Sequence, residues 1–96
     1  MVATLESDCV IHKYELAVAN YQEIDIPEVA LSLTVQMQHN SPYLWALVNS
    51  TVPKKKMKIR MYATGQPLDI EAYRLTYINT ISIQNGNLIF HFFIED

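Results

Sequence analysis

Apolar and polar residues alternate with a period of two along most of this chain, and no long stretch carries the 3.6-residue period of an amphipathic helix. In "VIHKYELAV", Val10, His12, Tyr14, Leu16 and Val18 fall on one side and Ile11, Lys13, Glu15 and Ala17 on the other. "EIDIP" follows with Ile24 and Ile26, and Pro27 should end that run because it has no amide hydrogen to give to a ladder. "ALSLTVQMQ" is the clearest strand: Leu31, Leu33, Val35 and Met37 should face a core, with Ala30, Ser32, Thr34, Gln36 and Gln38 facing out.

"HNSPY" reads as a turn, with Asn40 and Ser41 ahead of Pro42. "YLWALVN" then puts Tyr43, Trp45 and Leu47 on one face and Leu44, Ala46 and Val48 on the other, and neither face is polar. Such a strand is covered twice, by core on one side and by a loop, ligand or subunit on the other. "KKMKIRMYAT" sets Met57, Ile59, Met61 and Ala63 inward and Lys58, Arg60, Tyr62 and Thr64 outward. "GQPLDIEAYR" breaks the alternation, and Asp69 is a candidate cap for a helical turn through Ala72. The dipeptide Asn85-Gly86 between "LTYINTISIQ" and "NLIFHFFI" marks a hairpin, because type I′ turns need positive φ at both central residues. Residues 1–96 therefore predict a single all-β domain with about seven short, mostly antiparallel strands in a small sandwich or open barrel, and at most one short helical turn.

A chain of 96 residues supports one modest core, which oligomerisation would enlarge. With 50% hydrophobic and 18% charged residues, disorder is excluded and a buried core or a large apolar interface is expected. No apolar run approaches the length of a membrane span, and Glu6 and Asp8 stand where a signal peptide would carry its basic and apolar regions. Cys9 is the only cysteine, so no internal disulfide forms and a reducing, cytoplasmic setting is the simplest expectation.

The formal charge of −3 argues against nucleic acid as a partner. Basic residues nevertheless cluster in "PKKKMKIR", as Lys54, Lys55, Lys56, Lys58 and Arg60. This is either a solvated or edge strand guarded by lysines, or an anion-binding stripe. His12, His39 and His91 are far apart in sequence, and no metal, phosphate-loop or nucleophile-elbow pattern occurs. No catalytic residue, metal or cofactor is assigned; the one enzymatic alternative is a small phosphodiesterase using His12 or His91. Both histidines read more simply as hydrogen-bonded packing groups, and Met37, Met57 and Met61 as core.

If the three central strands pair in order, their outward face collects Gln36, Gln38, Tyr43, Trp45, Arg60, Tyr62 and Thr64. Aromatic faces stack on a base, amides read its edge and arginine meets phosphate with a bidentate fork. The same residue types also build subunit interfaces, so the face is a nucleotide site, an interface between copies, or both. Gly65 next to Thr64 is either a strand-ending turn with positive φ or bare backbone against which a ligand rests.

The segments "IHKYEL", "IPEVALSLTVQMQ", "YLWALVN", "YATGQPLD", "LTYINTISI" and "GNLIFHFF" together resemble a family of short, uncharacterised phage-encoded proteins. That family's pattern runs through an Ile-Pro step, a V-Q-x-Q strand, a Leu-Trp-Ala strand, a G-T-G-x-P loop, a Tyr-x-Gly-Thr strand and a G-x-L-V-F-H ending. The chain departs from it at Val29, Ala63 and Asn79, where glycine is expected, and at Asn49, where an acid is. By analogy with the Sequestin and Lockin proteins, the resemblance implies a non-enzymatic phage anti-defence role in the host bacterial cytoplasm. The protein would then be a homo-oligomer that sequesters a cyclic or substituted ADP-ribose signal of the Thoeris type. Trp45 and Tyr62 would stack, Arg60 would hold phosphate, Gln36 and Gln38 would meet base or ribose edges, and Thr64 and Gly65 would give backbone contacts. The alternative is a protein-binding inhibitor of a host defence factor, or a small virion-associated module.

Overall fold

Seven strands form in the computed structural model, which describes residues 8–96: β1 (Cys9–Glu15), β2 (Tyr21–Pro27), β3 (Val29–Gln38), β4 (Ser41–Asn49), β5 (Lys54–Ala63), β6 (Leu75–Ile83) and β7 (Leu88–Glu95). The expectations about Glu6 and about the side chain of Ala30 lie outside the described residues. Every ladder is antiparallel, and the strands divide into a three-stranded sheet of order β1-β4-β3 and a four-stranded sheet of order β2-β5-β7-β6. The all-β expectation holds, as an open sandwich with a 3-10 turn at Ala72–Arg74.

The alternation of β4 explains the core. Leu44, Ala46 and Val48 are fully buried against Val35 from β3 and, across the sandwich, Ile26, Ile59, Met61, Ile81 and Phe92. Met37 and Met57 pack against this cluster, in keeping with their core assignment. Fully burying side chains of this size contributes roughly 1.5–3 kcal/mol each, which makes this the main source of stability.

Turn chemistry shapes one end of the sandwich. His39 and Asn40 adopt positive φ (52° and 66°) between β3 and β4, so Ser41 and Pro42 already belong to the returning strand. Asn85 and Gly86 (φ 56° and 89°) turn the chain between β6 and β7, as the Asn-Gly signal requires. Pro27 does end β2.

The structure overturns three expectations. The three central strands do not pair in order, because the chain crosses between the sheets after Asn49 and β5 joins β2 and β7 instead of β4. Leu31 and Leu33 are not core: register shifts between Val29 and Leu31 and between Ser32 and Thr34 break the alternation of β3, leaving them 55% and 40% exposed. Asp69 caps no helix; the 3-10 turn begins after Glu71, and the Asp69 carboxylate turns back onto β5.

Candidate functional site

Because Leu44, Ala46 and Val48 point into the core, Tyr43, Trp45 and Leu47 must point outward from the three-stranded sheet. The ladders set Glu15 and Gln36 beside Tyr43, Lys13 and Thr34 beside Trp45, and Ile11 and Leu31 beside Leu47. Lys13 lies across the two rings, its ammonium 5.1 Å from the Tyr43 centroid and 5.7 Å from that of Trp45. At these distances the ammonium is attracted to the ring quadrupoles. It also donates to Gln38 Oε1 at 2.5 Å, while Gln36 Nε2 donates to Thr34 Oγ1 at 3.0 Å. Lys13 makes no ion pair among the described residues, so its charge and remaining donors face solvent.

Gln38 also lines a cleft of about 490 Å³ at the turn end of the sandwich. There His39 and Asn40 face Gln84, Asn85 and Gly86 across a floor that includes Met37 and Ile83. The aromatic face thus continues through one amide into a polar recess.

The other expected site residues lie elsewhere. Ile59 and Met61 are core, so Arg60, Tyr62 and Thr64 point outward from the four-stranded sheet, away from Trp45. Arg60 is not free to hold phosphate. Its Nε donates to Glu95 Oε1 at 2.6 Å, its Nη1 lies 3.3 Å from Asp69 Oδ2, and its guanidinium stacks 4.5 Å from the Tyr21 ring centroid. The Glu95 carboxylate, with a side chain only 5% exposed, also accepts from Arg74 Nη2 at 3.2 Å. Hydrogen bonding to Arg60 holds the Glu95 carboxyl below its ordinary range, and Glu95 in turn raises Arg60.

Tyr62 is equally committed. It is 3% exposed and edge-on to Phe93, and its hydroxyl donates to Asp69 Oδ1 at 2.5 Å. Burial and this bond raise the phenol, while the same bond lowers the Asp69 carboxyl. A buried ring under its own chain has no face for a base. The stacking role expected of Tyr62 and the phosphate role of Arg60 are therefore withdrawn.

Thr64 bonds His91 Nε2 at 2.7 Å, and Thr80 bonds His91 Nδ1 at 2.7 Å. Tyr77 extends the chain to Thr80, also at 2.7 Å. His91 is thus the hydrogen-bonded packing histidine expected; His12 is exposed instead. Gly65 (φ 84°) sits at the corner of a turn closed by Gln66 N–H donating to the Ala63 carbonyl at 3.1 Å. A positive φ at that position suits a type II turn, so Gly65 serves the turn.

The lysine cluster forms a ladder with acids. Lys58 stands opposite Glu23 and Lys56 opposite Asp25, with the Lys56 Nζ 2.9 Å from Asp25 Oδ1, while Lys55 reaches Glu28 at 3.9 Å. β5 is an interior strand that overhangs its β7 partner before Lys58. Two of the four lysines are thus held by acids, which weakens the case for an anion-binding stripe.

The family model for a domain of unknown function, DUF7352, matches residues 8–96. The chain belongs to the DUF7352 family. No curated protein and no solved structure matches it. Membership thus covers the two sheets and leaves chemistry to be argued from the side chains. No helix among the described residues is long and apolar enough to cross a membrane, and no metal-ligating cluster occurs among them.

Of the eight residues expected at one site, Gln36, Gln38, Tyr43 and Trp45 share a face, and Arg60, Tyr62, Thr64 and Gly65 do not join them. Lys13 was missed. Its outward parity with Ile11 and Glu15 was readable, but pairing between β1 and β4 was needed to set it over the aromatic rings.

Proposed function

We propose that this protein is a non-catalytic binder that sequesters a nucleotide-derived small molecule on the outer face of the three-stranded sheet. The observation that carries this reading is the Lys13 ammonium poised over adjacent Tyr43 and Trp45 rings, on a face that no described segment covers. A planar base that stacks on Trp45 displaces the lysine from the rings, and the freed ammonium meets phosphate. Gln36 and Gln38 offer amide donors and acceptors to base or ribose edges. The resemblance to phage-encoded proteins supports a cyclic or substituted ADP-ribose of the Thoeris type as the ligand, and a role in anti-defence. Sequestration then acts by mass action, as a held signal is withdrawn from its effector.

The test is to incubate the protein with such a signal, filter, and release the retained fraction by heat. Depletion with intact signal on release supports the reading. No depletion, or recovery of a cleaved product, overturns it.

A second reading has its own observation. Ile11 and Leu31 are 60% and 55% exposed in one row with Leu47, which suits a protein partner on the same face. Stoichiometric capture of a host defence protein, blocked by Leu31→Asp and unaffected by nucleotide, would favour that inhibitor role.

A further inference from the structure

We infer that two copies of this chain join through β1, edge to edge, into one continuous six-stranded sheet that carries both aromatic faces. In the β1 to β4 ladder, Leu16 N–H donates to the Pro42 carbonyl at 2.8 Å and Ser50 N–H donates to the Asp8 carbonyl at 3.0 Å. Even-numbered residues therefore turn their main-chain groups toward β4. By the alternation of antiparallel ladders, the N–H and C=O groups of Cys9, Ile11, Lys13 and Glu15 point to the edge, which no other described strand occupies.

The other three edges are blunted. β3 has two register shifts, and the N–H and C=O of Val35 are taken by the Asn79 side chain. β6 has a shift between Tyr77 and Asn79. β2 ends in Pro27 and carries Glu23 and Asp25, which would meet like charges in a symmetric pair. β1 alone keeps an unbroken register without proline, and it carries Ile11 at 60% exposure.

The same groups select the register. Centring on Lys13 sets lysine against lysine. Centring on Tyr14 requires Ala17, whose N–H and C=O are both bonded to the Gln22 amide at 2.8 Å. Centring on His12 pairs Cys9 with Glu15 and Ile11 with Lys13 of the second copy, each pair exchanging both main-chain bonds. No like charges then stand directly opposite. The outer face becomes one surface in which the second copy contributes its own Lys13, close to the two-fold axis. For the ligand class proposed above, this gives two ammonium groups to one pyrophosphate.

The pairing rests on main-chain geometry, so its test needs no ligand. The protein is measured by sedimentation equilibrium and far-UV circular dichroism, beside Ile11→Pro. Proline at 11 removes only an amide that faces the open edge. The expected result is twice the chain mass for the native protein and a halved mass, with the same spectrum, for Ile11→Pro. A second probe places His12→Cys in a Cys9→Ser background. Facing residues in a non-hydrogen-bonded pair have Cα atoms about 4.5 Å apart, within disulfide reach, so oxidation should give a covalent dimer. A monomeric native protein, an Ile11→Pro variant that stays dimeric, or a His12→Cys variant that does not crosslink would overturn the inference. Loss of nucleotide binding without loss of the dimer would overturn only the functional reading.

Discussion

Asn79 binds Val35 as a peptide group would. The Val35 N–H donates to Asn79 Oδ1 at 2.6 Å, and Asn79 Nδ2 donates to the Val35 carbonyl at 2.8 Å. One side chain thereby fastens the edge of the three-stranded sheet to that of the four-stranded sheet, just after the register shift that leaves Ile78 as the extra residue of β6. Asn79→Ala leaves both groups of Val35 without partners and should cost about 2 kcal/mol in urea unfolding. Asn79→Asp sets a carboxylate oxygen against the Val35 carbonyl and should cost at least as much as Asn79→Ala. An unchanged midpoint for Asn79→Ala would mean that packing alone joins the sheets.

Glu95 and Tyr62 give stability opposite dependences on pH. Glu95 and Asp69 keep their charge in the folded chain below the ordinary carboxylate range. Their contribution is complete above that range and is lost as pH falls through the lowered values. The raised Tyr62 phenol contributes fully below about pH 10 and loses its contribution as pH rises through the folded value. Denaturation midpoints measured against pH should show both arms. Glu95→Gln should flatten the acid arm and Tyr62→Phe the alkaline one.

Trp45 is the only tryptophan, so its fluorescence reports on the aromatic face alone. Lys13→Met removes a cation from beside the indole and should shift the emission without unfolding the chain. Titration of the native protein with an ADP-ribose signal should quench that emission. Trp45→Ala should lose about 5- to 150-fold in affinity, since stacking contributes about 1–3 kcal/mol per base. Arg60→Gln, on the other sheet, should lower the unfolding midpoint and leave the ligand affinity unchanged.

Gly65→Ala tests whether the loop after β5 is a turn or a contact. A Cβ there meets nothing within 4 Å, but φ of 84° strains any other residue. The expected cost is about 1 kcal/mol of stability, with no change in ligand retention. Lost retention at unchanged stability would restore a binding role to that glycine.

The strands were legible because period-two alternation is local, and so was the Asn85-Gly86 hairpin. The two-sheet division was not. "NSTVP" reads equally well as a hairpin turn and as a crossing, and only the packing of β5 against β2 decides between them. The extra residues at Ala30 and Leu33 gave no warning either, since neither is the glycine that often marks a bulge. Tyr43, Trp45, Gln36 and Gln38 could be brought together because one tight turn joins their strands. Arg60, Tyr62 and Asp69 form a hydrogen-bonded cluster on the outer side of the four-stranded sheet, whose partner Glu95 lies far along the chain.

The order β2-β5-β7-β6 places the last strand in the interior of its sheet. During synthesis, β5 and β6 lack the neighbour they share until residues 88–95 have emerged, so the larger sheet cannot close before then. The β3 and β4 hairpin, with β1 beside it, is complete much sooner. A nascent chain stalled before Leu88 should therefore hold the smaller sheet and the β2 and β5 ladder, with the core still lacking Phe92 and the joint between β5 and β6.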